Sequence, residues 1–192
     1  MKKENRRKTP ILEGQYIRLR EVSPDDTEFI LKWRNDEKLG RYLTFSNEKL
    51  LRKRHELFLK DYFDRGEDYY FICEKVDNSE KIGTFSIYNI DQHAQKAEIG
   101  RCFMTPKNSV YGFEMMMMLL KFAFEHLKLN KIYGIQLESN PVLECYLACG
   151  ANKEGVLKDH HWNGQKLDNI VLTAIFKHEF EPVMDRVQMT LK

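Results

Sequence analysis

The chain has 192 residues, 42% of them apolar and 31% charged, with a formal net charge of +2. That is the length of one domain and the composition of a globular one. The near-neutral balance argues against a general nucleic-acid binder. No apolar run approaches the ~20 residues of a membrane span, since the longest, Met115 to Leu120, is followed by Lys121.

The opening MKKENRRK is basic, but the following TPILEGQYIRLREV is not the apolar core of a signal peptide. Residues 1–11 are therefore expected to be a solvated tail. Leu12 to Val22 reads as a strand. In the next segment Ser23 is a suitable N-cap, Pro24 suits the first helical position and Asp26 the positive helix end, which predicts a helix to Asn35. Ser46 or Asn47 is expected to cap a second helix, with an apolar stripe of Leu51, Phe58 and Tyr62 and an end near Gly66.

Tyr69 to Val76, Lys81 to Ile90 and Gln95 to Met104 are short, rich in aromatic or β-branched residues, and separated by DNSE and DQHA. They are predicted to be three antiparallel strands. Tyr111 to Leu127 is predicted to be a helix whose charged residues, Glu114, Lys121 and Glu125, form one narrow stripe, so most of its circumference must be covered. Ile132 to Glu138 alternates, with Tyr133, Ile135 and Leu137 on one face. Asn140-Pro141 opens a short helix to Cys149, ended by Gly150. Asn163-Gly164 signals a hairpin whose second arm, Asp168 to Phe176, should be buried. The order is β-α-α-β-β-β-α-β-α-β-β, in one domain over 12–177. Residues 178–192 read equally as a terminal helical turn or an oligomer contact, which leaves a homodimer open.

The four cysteines, Cys73, Cys102, Cys145 and Cys149, form no C-x-x-C, and the adjacent His160 and His161 would point to opposite faces of a strand. No metal is expected, and the cysteines are expected to be small buried apolar residues in a reducing cytoplasm. The segment KNSVYGF lies between a strand and a helix, where backbone N–H groups lack helical partners and carry the positive end of the helix dipole. It suits a phosphate, and Gly112 permits close approach. It matches neither G-x-G-x-x-G nor the P-loop.

With these motifs in place, the chain resembles the GNAT superfamily of N-acetyltransferases, and within it the RimJ/RimL-like branch, over roughly Leu12 to Lys177. The family's Q/R-x-x-G-x-G/A turn corresponds to Lys107, Asn108, Ser109, Val110, Tyr111 and Gly112, with Phe113 following. Val110 replaces the first glycine and restricts the backbone where phosphate approaches. AEIG matches a strand whose acidic residue, here Glu98, acts as general base. NPVLECYLACG places Asn140, Tyr146 and Gly150 in the family register, with Ala151 where Phe is common. LKWRND resembles a first-helix segment, Trp33-Arg34-Asn35, of members that acetylate amino sugars or protein N-termini.

The resemblance implies an α+β fold, a single domain with a mixed, mostly antiparallel sheet flanked by helices. It also implies acetyl-CoA as co-substrate. An amine near pKa ~10 must lose a proton before it attacks, and Glu98 would accept it. Backbone N–H groups of Phe103 and Met104 would face the oxyanion, and Tyr146 would protonate the departing thiolate. Lys107 to Phe113 and Asn140 would hold the coenzyme, and Trp33, Arg34 and Asn35 the acceptor. That acceptor is an amino sugar carried on a nucleotide, a protein N-terminus or a polyamine. Val110 supports a second reading, a non-catalytic acyl-CoA-binding or partner-binding domain.

Overall fold

The computed structural model describes residues 7–40, 42, 49–105, 109–162 and 166–182. An eight-stranded sheet in the order β1-β2-β3-β4-β5-β6-β8-β7 forms the framework. The strands are β1 Leu12–Glu13, β2 Ile17–Glu21, β3 Tyr69–Lys75, β4 Lys81–Asp91, β5 Lys96–Met104, β6 Lys131–Leu137, β7 Asn152–Trp162 and β8 Leu167–Phe176. The helices are α1 Thr27–Arg34, α2 Glu37–Gly40, α3 Arg52–Arg65, α4 Ser109–Lys121 and α5 Val142–Ala148. Neighbouring strands run antiparallel except β5 and β6, which are parallel.

Strand β3 shows how the layers form. Successive side chains of a strand point to opposite faces. Tyr69, Phe71 and Cys73 join a large cluster with α4, including Met115, Met116 and Met117, whereas Tyr70 and Ile72 join Ile30 of α1 and Leu59 and Tyr62 of α3. The sheet thus has an apolar layer on each face, and the methionines are core. Residues 177–182 continue helically from β8, and Phe180 packs into the large cluster with its ring 5.3 Å from that of Phe124.

Several sequence expectations need correction. The first strand is broken into β1 and β2, paired antiparallel through Leu12↔Leu19 and Glu13↔Arg18. The Glu114 carboxylate of α4 accepts the N–H groups of Tyr16 at 3.0 Å and Ile17 at 3.1 Å, and also that of Gln15, so it fastens the turn between them. Gly14 is needed there because a Cβ would stand 2.8 Å from the Ile17 carbonyl oxygen.

The first helix begins with a 3-10 turn, Pro24–Asp26, before α1. The second helix starts at Arg52, and Leu51 is 68% exposed, so the inward stripe is His55, Leu59 and Tyr62 with Phe58 half-buried. The expected caps Ser46 and Asn47 lie outside the described residues, as does the Asn163-Gly164 turn. Helix α4 passes into a π-helical turn, Phe122–His126. The buried face of β6 also differs from the alternation read from sequence. Ile132, Gly134 and Gln136 are inside and Ile135 is exposed, although Leu137 is buried.

Two irregularities prepare the site. The parallel pairing of β5 and β6 runs only from Lys96↔Lys131 to Ile99↔Gly134, after which the strands part. On its other side β5 carries a bulge, because Thr84↔Phe103 and Ser86↔Gly100 leave an extra residue in β5. Arg101 there is left-handed, with φ 49°. Such bulges take a residue out of the ladder and re-aim its neighbours.

Candidate active site

A cavity of about 500 Å³ opens where β5 and β6 diverge. Helical periodicity places its walls. Ile30, Trp33 and Arg34 of α1 stand at i, i+3 and i+4, and Arg54, His55 and Phe58 share a face of α3. Tyr146 projects from α5, and β5 contributes Ile99 to Phe103. Phe103 joins strand to helix, its ring centroid 5.6 Å from Phe29 and 6.5 Å from Trp33.

Glu98 is 8% exposed and does not line the cavity. Tyr88 donates its hydroxyl hydrogen to Glu98 Oε1 at 2.9 Å, and Asn89 Nδ2 donates to Oε2 at 2.9 Å. Tyr88 and Asn89 do line the cavity, and they stand between it and the carboxylate. Burial, then the Glu98 charge, pushes the Tyr88 hydroxyl well above its usual range, so it keeps its proton. Asn89 reaches Glu98 from a left-handed backbone, φ 51°, at a second irregularity of the β4–β5 ladder.

Tyr146 is 5% exposed, and burial raises its hydroxyl pKa well above the ordinary value, so it too keeps its proton at neutral pH. Beside it, Gln136 donates Nε2 to Thr173 Oγ1 at 3.0 Å, while its Oε1 is buried with no partner among the described residues. An unmatched buried acceptor in a cavity wall is a place for a ligand N–H.

A scan against protein families matches residues 17–144 to the acetyltransferase (GNAT) domain. The chain belongs to the GNAT acetyltransferase family. It is 27% identical over 176 residues to YoaA of Bacillus subtilis (strain 168), an uncharacterized N-acetyltransferase, covering 88% of this chain and 99% of that protein. It is 22% identical over 170 residues to p20 of Bacillus licheniformis, also an uncharacterized N-acetyltransferase, covering 85% and 94%. Among solved structures, spermidine N-acetyltransferase from Vibrio cholerae in complex with CoA and spermine superposes with TM-score 0.78 at 19% identity, covering 85% of this chain and 97% of that one. A GNAT-family acetyltransferase from Bacillus anthracis superposes with TM-score 0.74 at 18% identity, covering 88% and 100%. The expected fold is therefore the observed one, and the protein is an acetyl-CoA-dependent N-acetyltransferase.

The cleft of this GNAT domain fits the coenzyme's arm. Beyond Ile99, β5 has no strand partner on its β6 side among the described residues. It therefore presents an edge of main-chain donors and acceptors, the surface that an extended chain of amides pairs with. Gln136 Oε1 adds an acceptor across the cleft.

The residues expected at the site are only partly brought together. Trp33, Arg34, Phe103, Asn140 and Tyr146 line the cavity. Asn140 Oδ1 also caps α5 by accepting the Val142 N–H at 3.0 Å. Asn35 instead ties down the next segment, accepting from the Leu50 N–H at 2.7 Å and donating to the Leu50 carbonyl at 3.1 Å. Met104, Tyr111 and Phe113 pack against the core cluster. Ser109 begins α4, Val110 is 49% exposed in its first turn, and Gly112 lies near Met104. Lys107 and Asn108 lie outside the described residues.

Cys102 lines the cavity and Cys145 is half-buried, whereas Cys73 and Cys149 are buried as expected. Among the described residues no three His, Cys, Asp or Glu side chains gather as a metal site. Sequence reasoning missed Tyr88, Asn89, Arg54, His55, Arg101 and Gln136. Helical spacing with Phe58 was an available signal for Arg54 and His55. None existed for the strand residues, whose role depends on a bulge and on distant partners.

Proposed function

We propose that the protein acetylates a primary amine, on a small molecule such as an amino sugar or on a protein N-terminus, by direct attack with no covalent enzyme intermediate. The supporting observation is the cavity that joins the free edge of β5 to the α1 and α3 walls, with Tyr88 and Tyr146 both facing it. The RimJ/RimL-like affiliation belongs to the same reading. Its motif residues Trp33 and Arg34 stand in the acceptor wall.

Bound acetyl-CoA supplies the thioester carbonyl. In this reading Tyr88 takes a proton from the acceptor ammonium as it passes its own to Glu98 Oε1, so Glu98 is the proton sink reached through Tyr88. Main-chain N–H groups of the bulged β5 segment face the charge that develops on the carbonyl oxygen. As the C–N bond forms and the C–S bond breaks, Tyr146 delivers a proton to the departing sulfur and is restored by the second proton that the nitrogen sheds on becoming an amide. The diphosphate is held by the Lys107 to Phe113 segment of the sequence motif, of which Ser109 to Phe113 form the start of α4. Pairing of two copies is part of the proposal, supported by the exposed Val156, Leu157 and Trp162 on edge strand β7, and sedimentation would measure it.

The test is thiol release from acetyl-CoA across amino sugars, peptides with free N-termini and polyamines. Turnover with at least one primary amine, with N-acetyl product seen by mass spectrometry, is expected. CoA binding without thiol release from any amine would instead favour a non-catalytic coenzyme-binding domain.

A further inference from the structure

We propose that the acceptor carries an anionic group, a carboxylate or a phosphate, which Arg34 receives in the α1–α3 wall of the cavity; this rests on the acetyl-transfer reading above. Among the described lining residues there is no aspartate or glutamate, while Arg34, Arg54 and Arg101 all line the cavity. Their situations differ. The Arg101 guanidinium is already matched, 3.3 Å from Asp68 Oδ2 and stacked over Tyr88 at 4.4 Å. Arg34 is half-buried, and among the described residues its guanidinium has no aspartate or glutamate beside it, its electrostatic neighbours being Tyr70 and Arg54.

Burial is the main cause that lowers the Arg34 pKa; the Tyr70 hydroxyl opposes it, and the Arg54 charge, a smaller effect than that of Tyr70, adds to the lowering. The guanidinium is thus partly withdrawn from water, with no carboxylate among the described residues that line the cavity. A cation in that position is unfavourable until an anion joins it, and a planar guanidinium is suited to carboxylate or phosphate oxygens.

A second orphan group lies on the same wall. His55 is 2% exposed, its Nε2 is buried without a partner among the described residues, and burial lowers its pKa, so it faces the cavity as neutral imidazole. It offers a hydrogen bond without another charge. The solved V. cholerae relative is described with spermine, a polycation. This cavity wall has the opposite electrostatic sense, because a polyamine would bring positive charge toward Arg34 and find no aspartate or glutamate among the described lining residues. The fold is shared, but the acceptor class is set by these side chains.

The experiment compares matched acceptors with acetyl-CoA: glucosamine 6-phosphate against glucosamine, glycylglycine against glycylglycinamide, and spermidine. An anionic member of a pair is expected to exceed its neutral partner in kcat/KM by about 10- to 100-fold, as for one charge-assisted hydrogen bond. The phosphate and carboxylate arms identify which anion is read. In Arg34→Gln that ratio falls toward one, and Arg34→Lys restores part of it.

Equilibrium binding of glucosamine 6-phosphate and glucosamine to the CoA-loaded protein, by calorimetry, reads the same preference without chemistry. Anion-selective binding without thiol release would therefore sink the transfer reading and keep the anion site. Equal handling of both members of each pair in both readouts overturns the inference, as does preference for spermidine. So does an Arg34→Gln variant that weakens CoA but not dephospho-CoA, since Arg34 would then serve the coenzyme's own phosphate.

Discussion

The Tyr146 ring lies so close to Gly134 that a Cβ at residue 134 would stand 3.0 Å from Tyr146 Cε2. The same Cβ would meet Gln136 Oε1 at 3.0 Å and Thr173 Oγ1 at 3.3 Å. The smallest side chain in β6 therefore sets where the proposed proton donor stands. Gly134→Ala is expected to reduce stability by about 1–3 kcal/mol through overpacking. It should also lower kcat by about 100-fold, the effect of a ~1 Å misplacement. Thermal unfolding and steady-state kinetics check this, and an unchanged kcat would show that the position of Tyr146 does not matter.

Tyr88 and Glu98 are predicted to act as one unit. Tyr88→Phe and Glu98→Gln should each lower kcat/KM by about 100-fold. The double variant should be little worse than either single one, because groups in a shared step are not additive. Profiles of kcat/KM against pH for the three variants make the comparison. Losses that multiply would separate the two residues.

Asp26 is completely buried between Arg20, at 2.8 Å, and Lys81, at 2.6 Å. Its burial alone would raise its pKa, but hydrogen bonds from Arg20, Lys81 and the Ser23 N–H outweigh that and lower it from 3.8 to about 2. A carboxylate with a depressed folded-state pKa stabilises fully above its unfolded value, and the stabilisation is lost as pH falls through the folded value. About 2 kcal/mol should thus disappear between pH 3.8 and about 2. Asp26→Asn, which leaves Arg20 and Lys81 without this partner, is expected to lose about 3–5 kcal/mol at neutral pH. Urea midpoints from pH 7 to pH 2 for both proteins measure the two effects.

Glu114 links α4 to the turn after β1 through the N–H groups of Gln15, Tyr16 and Ile17. Glu114→Ala should lower stability by about 1–3 kcal/mol, the cost of leaving such donors unmatched. Hydrogen exchange at those three amides should accelerate while exchange in β3 is unchanged. Slow exchange at residues 15–17 in the variant would mean that the turn holds itself.

Local pattern determined much of the molecule. Strands β3, β4 and β5, the apolar α4, the short α5 and the closing hairpin follow from periodicity and from polar or glycine-bearing breaks, which lie within a few residues of what they specify. The i, i+3, i+4 geometry likewise places Trp33 and Arg34 in one wall together with Ile30. Other features needed the tertiary structure. The first strand breaks because Glu114, distant in sequence, claims the N–H groups at its middle. Ile135 is outside and Gln136 inside because β6 is flanked by β8 on one edge and by the cleft on the other. Glu98 stands behind Tyr88, and Arg34 without a carboxylate among the described lining residues, because the β4–β5 irregularities and the packing of α1 against α3 fix who faces whom. Periodicity is a property of neighbours along the chain, whereas a bulge register, a split between strands and the charge balance of a cavity are contacts between segments that the chain brings together only on folding.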